Sequence, residues 1–240
     1  HRMEDTVPPL PSGAWKNSVL FLGEALVFRD GDGEEAEDSG LQIVLSVLSC
    51  KGIYAFKNSE DVLKMDGYFD DGATVEYMVL HDSRNKIHGI TSLVPQEGIE
   101  WPWQVILRLG EQFASSVLKV SFRTETNLQS FLRALDTMKA IKAHLEACKD
   151  LEDCNPNNEW LDSLCSRNIS TVYILNTNLS VQGLKVLAGT AVPGIYPKHQ
   201  VIEHLYFAFV PLVVDHMQYL LKWIRNNASY INFLTLQECR

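Results

Sequence analysis

The feature that most constrains this chain is a stripe of seven apolar residues between 126 and 147. Leu128, Phe131, Leu132, Leu135, Met138, Ile141 and Leu145 recur at offsets 0, 3, 4, 7, 10, 13 and 17. That spacing follows a period near ~3.6 and predicts one long amphipathic helix. Arg133, Asp136, Lys139 and Lys142 fall on its other face. Thr126 followed by Gln129 reads as a capping box that starts the helix. Such a helix is stable in water only when its apolar stripe lies on something, and the residues before it are the nearest candidate.

Those residues read as short strands. Ser18–Phe28 is apolar and β-rich, with Gly23 as a bulge or turn. Residues 42–48 and 53–56 form a hairpin about the turn Cys50-Lys51-Gly52. Further strands are predicted over 74–80, 86–94, 103–109 and 116–122. About seven strands at spacings near ~10 residues suggest a sandwich or barrel. After the helix, 149–158 is a polar connector and the natural boundary. Beyond it the pattern predicts a short helix at 159–166 and strands near 170–175, 183–187 and 203–210. A helix over 212–225 and a last strand over 230–236 follow. No internal repeat stands out.

The fold class is therefore α+β. A strand meander or barrel closed by a C-terminal amphipathic helix occupies 14–150, and a smaller mixed α/β region occupies 151–240. A meander of about seven strands ending in one capping helix resembles the pleckstrin-homology (PH) superfold. No Trp stands in the helix, so Phe131 or Leu135 would fill the place a Trp often takes there. Within that superfold, the run Gly40-Leu-Gln-Ile-Val-Leu-Ser-Val-Leu-Ser-Cys-Lys-Gly-Ile-Tyr-Ala-Phe is similar to hairpins of the nischarin-type scaffolds. The layout of Trp103–Leu109, Leu118–Phe122 and Asn127–Leu135 is similar too. The resemblance implies a non-catalytic protein-interaction module of an intracellular scaffold or adaptor in signalling and membrane trafficking. Its implied partners are small GTPases, kinases or receptor tails. Its implied place is the cytoplasm, peripheral at endosomal membranes.

Charge and motif readings narrow the function. Thirty acidic against 21 basic residues give a net charge of −9, which disfavours nucleic acid as a partner. The most apolar stretch, 205–224, is broken by Pro211, Asp215, His216 and Lys222, so no transmembrane segment is expected. The loop between the first two strands carries Asp30, Asp32, Glu34, Glu35, Glu37 and Asp38. Lipid-binding PH domains grip phosphates with lysine and arginine there, whereas this loop would repel them. It suits a basic partner surface instead. A phosphoinositide-binding adaptor is the alternative, and it would need Lys51, Lys57, Lys64 and Lys119 to converge.

Asp30-Gly-Asp-Gly starts like a calcium loop, but Glu35 and Leu41 stand where a glycine and a bidentate acid are required. The five cysteines, Cys50, Cys148, Cys154, Cys165 and Cys239, form no CxxC pair and read as free thiols. No nucleophile elbow, P-loop or dinucleotide fingerprint occurs. The expectation is no enzyme, no catalytic residue, no cofactor and no metal. Trp101 and Trp103, flanking Pro102, are the remaining candidates for partner binding, since Trp is enriched at hot spots. A proline-bearing strand start also suits a sheet edge that accepts a partner strand. Partner identity, oligomeric state and the role of 151–240 stay open at this level.

Overall fold

The computed structural model describes residues 13–29, 40–57, 77–82, 86–110, 116–149, 151–166, 170–175, 179–195 and 201–239. They divide into two compact units. One is Asn17–Met138; the other joins the N-terminal segment up to Lys16 with Lys139–Arg240. The architecture is mixed α+β, with one large antiparallel sheet and a second, parallel one.

The first unit is a seven-stranded sheet of β1 (Val19–Arg29), β2 (Leu41–Leu48), β3 (Gly52–Phe56), β4 (Tyr77–Asp82), β5 (Ile87–Ser92), β6 (Trp103–Leu109) and β7 (Ser116–Phe122). Its order is β4-β3-β2-β1-β7-β6-β5, so β1 pairs with both its successor and the last strand. The expected hairpin is present, with Val44 opposite Phe56 and Leu48 opposite Gly52. Gly52 turns there at φ 127°, which a side chain would resist. Among the described residues β4 and β5 are the sheet's two edges, so the barrel that was one expectation is not closed. Closure would need a ladder between these two short strands, and each carries a register shift against its other neighbour.

After β7 comes α1 (Glu125–Lys149). Its cap is Thr124, whose Oγ1 accepts from the Asn127 N–H at 3.2 Å, two residues before the expected Thr126. The hydroxyl must stand outside the first helical turn to reach back to it, and Glu125 is already helical. Leu128, Phe131, Ala134, Leu135 and Met138 enter one buried cluster with Phe21, Leu45, Val105, Val120 and Phe122. Three rings, Phe21, Phe122 and Phe131, meet at centroid distances of 5.3–5.9 Å and tie β1, β7 and α1 together. The stripe from Leu128 to Met138 therefore lies on the sheet, while Ile141 and Leu145 belong with the second unit. The unit boundary falls inside α1 rather than in the polar connector, because residues from Lys139 onward count with the second unit.

The second unit contains α2 (Asn158–Cys165), β8 (Thr171–Leu175), α3 (Val181–Thr190), β9 (His204–Ala208), α4 (Val214–Asn226) and β10 (Phe233–Gln237). The three strands are parallel in the order β10-β9-β8. Residues 183–187 belong to α3 and not to a strand, a correction to the sequence reading. The Ser180 side chain caps α3 by accepting from Gly183 N at 2.9 Å. Leu184, Val186, Leu187 and Ala188 are all buried, so the segment shows an apolar run and no clean period.

Candidate functional site

The described edge at β5 is an uncharged strand, and the loop that follows it is exposed through most of its length. β5 is Ile-His-Gly-Ile-Thr-Ser, without lysine, acid or proline to blunt pairing. Among the described residues it pairs with β6 alone, Ile90 opposite Leu107 and Ser92 opposite Val105. The pairing ends where Leu93 N donates to Gln104 O at 2.9 Å. The chain then turns outward through Gly98, at φ 82°. Val94 is 84% exposed and Ile99 is exposed beside it. Two aliphatic side chains held in solvent next to an open strand give a partner both backbone groups and an apolar grip.

Trp101 and Trp103 stand at the end of this loop. Trp101 is buried, and the Arg123 guanidinium lies over its ring at 4.5 Å. Arg123 also meets Glu100 at 2.7 Å and Glu24 at 3.5 Å. The indole is thus roofed by a cation that two carboxylates hold in place. Trp103 is half-buried and packs against the core cluster as β6 begins. Both rings anchor the base of the loop, and its exposed apolar atoms are those of Val94 and Ile99. Sequence reasoning passed over these two because single aliphatics in a loop carry no pattern. The acidic candidates Asp30, Asp32, Glu34, Glu35, Glu37 and Asp38 lie outside the described residues, as does Lys64. Lys119 sits over the Phe28 ring at 5.2 Å.

In the second unit, among the described residues, histidine, thiol and hydroxyl groups converge in the interior around His144. His144 on α1 accepts at Nε2 from the Asn157 N–H (3.1 Å), so Nδ1 carries the proton and donates to Thr190 Oγ1 (2.9 Å). That hydroxyl in turn donates to Val186 O at 2.8 Å. Burial lowers the His144 pKa from 6.5 to about 4. Cys148 Sγ lies 3.9 Å from the ring, and burial first, then Cys154, pushes its thiol up to about 12. A neutral imidazole with both nitrogens engaged, beside an un-ionised thiol, is a structural tie. Nearby, the Asp162 carboxylate accepts from Gly13 N (3.0 Å) and Trp15 N (2.7 Å), while Trp15 Nε1 donates to Asn158 Oδ1 (3.0 Å). This clamp fixes the N-terminal segment to α2. Among the described residues no cluster of three or more His, Cys, Asp or Glu side chains could hold a metal. No described helix is long and apolar enough to cross a membrane.

No family model and no curated protein matches the chain. Among solved structures, the apo structure of an activated truncation of Vav1 aligns over 62% of this chain and 32% of that one. The identity is 10% and the TM-score 0.36. The aligned part spans about a third of the Vav1 chain, and at that score the likeness carries no argument.

Proposed function

We propose that the first unit, residues 17–138, forms a PH-like, non-catalytic module of an intracellular scaffold or adaptor, and that its β5 edge with the 93–102 loop receives an extended segment of a protein partner. The strand order supports the PH-like reading: two meanders joined through β1 and β7, followed at once by a helix that covers the core. The observation that carries the function is the uncharged β5 edge running into exposed Val94 and Ile99. A receptor tail or a flexible kinase segment has the right form, because it adds as a strand and places alternate side chains on the sheet. A small GTPase would present its own edge strand. The acidic residues 30–38 favour a partner with basic residues flanking the strand-forming part.

The test is a peptide selection against the purified chain, followed by amide chemical-shift mapping. Selected peptides should shift Ile87–Ser92, and Val94→Asp should weaken them about tenfold or more without changing thermal stability. Peptides that leave β5 unshifted would remove the reading. Binding to phosphoinositide vesicles in their place would transfer the module to lipid recognition.

A further inference from the structure

The second unit is built on a repeat. Strands β8, β9 and β10 start at Thr171, His204 and Phe233, and these three residues share one register across the sheet. The next positions align Val172, Leu205 and Leu234, and two residues further on Ile174, Phe207 and Leu236. The residue following β9, Phe209, has φ 57°, and the residue following β10, Glu238, has φ 49°. Two successive strands therefore end in the same uncommon backbone turn. Arrays of this kind bury each unit against its neighbours and need their end units closed by something.

The two ends differ. At β8, α2 packs alongside with Trp160, Leu161 and Leu164 buried. At β10, Leu234 and Leu236 are 42% and 45% exposed, while their register partners Val172, Ile174, Leu205 and Phe207 are fully buried. Phe233 is 64% exposed, and Phe233–Gln237 contains no charge and no proline. The helix α4, whose Trp223 packs on Phe207 of β9, carries a second apolar stripe. Val214 (85% exposed), Met217 and Leu221 (60%) recur at i, i+3 and i+7. They lie about a third of a turn from the buried His216, Leu220 and Trp223. For a right-handed crossover, the near-universal hand, that rotation turns the stripe away from α3 and over the outer side of β10.

We propose that this end of the unit is covered by a second copy of the same chain. At about 150–200 Å² for a fully exposed large side chain, the six residues offer roughly 600 Å² per copy before any backbone area is counted. A stable interface needs about 800 Å² per partner, so a paired strand brings the total into range. Head-to-tail stacking would require the β8 side of the partner, where α2 already lies. A two-fold axis avoids that conflict: β10 pairs antiparallel with the partner's β10, and the two α4 stripes face each other.

Sedimentation of the full chain across the micromolar range tests this. A concentration-dependent dimer is expected. Leu234→Lys and Leu221→Glu, both at exposed positions, should each raise its dissociation constant about tenfold or more with unchanged circular dichroism. A chain that stays monomeric, or a dimer indifferent to both substitutions, overturns the proposal. A monomer that protects its β10 amides only when another polypeptide is added would assign the edge to a different protein.

Discussion

The antiparallel sheet of the first unit and the parallel sheet of the second solve the same problem with different visibility in the sequence. In the first, several strands have a core face and a wetter face, so apolar and polar residues alternate; β6 and β7 lie where that alternation placed them. In the second, the strands are five residues long and separated by helices whose own faces are buried. Alternation survives in β8, but the intervening α3 is apolar nearly throughout. Local pattern reveals a fold where one side of each element meets water, and hides it where neither does.

The largest effects should come from removing a ring at the centre of each unit. Phe131→Ala deletes the helix's contact with Phe21 and Phe122. Trp223→Ala deletes an indole that is fully buried, donates to Ala191 O at 2.9 Å and meets Phe207 edge-on. Each should cost about 3–5 kcal/mol. If the units are separate cooperative blocks, differential hydrogen exchange will show each substitution loosening its own unit; equal loosening of both would break the comparison.

Acid should act next, and on the second unit through His144. Its folded pKa of about 4 lies below the ordinary 6.5, so between those values the unfolded chain binds a proton that the folded chain refuses. Stability is then complete above about pH 6.5 and falls as pH drops, by on the order of 3 kcal/mol at pH 4. Glu159 has the opposite sign. Burial raises its pKa from 4.5 to about 7, so its contribution is present at low pH and is lost as pH rises through 7. Urea unfolding of His144→Gln should therefore lose the His144 contribution and, with the opposing Glu159 no longer offset, gain stability from pH 7 to 5 relative to the parent chain. An unchanged pH profile would show that His144 is not the proton-linked group.

Asp162→Asn should cost about 2 kcal/mol, since it weakens two charge-assisted bonds to backbone N–H groups. Its indole reporter is Trp15, whose fluorescence should move to the red as the segment leaves α2. The smallest effect belongs to Arg123→Met, below about 1 kcal/mol, because both carboxylate partners are well exposed. A larger loss would mean that the guanidinium over Trp101 holds the 93–102 loop in place.

Most of the first unit was legible because Leu128, Phe131, Leu135 and Met138 announce a helix and the strands before it alternate. The cap moved from Thr126 to Thr124, since either hydroxyl has a plausible partner three residues on and only the backbone decides between them. Gly183 and the β-branched residues around it drew a strand where Ser180 capped a helix. The repeat was invisible for a related reason: equivalent positions such as Ile174, Phe207 and Leu236 match in polarity but not in identity. The clamp at Asp162 joins residues some 147 positions apart, a separation that no local window spans.

That clamp bears on how this chain can be cut. Because residues up to Lys16 belong with the C-terminal unit, the seven-stranded sheet is threaded into the covalent path between two parts of another body. A fragment beginning in the polar connector at 150 would lack Trp15 and the His144 turn of α1, and would open the Asp162 carboxylate and the apolar surface under Trp15 to water. A C-terminal half that keeps its core should begin at Lys139 and carry residues 13–16 grafted back onto it.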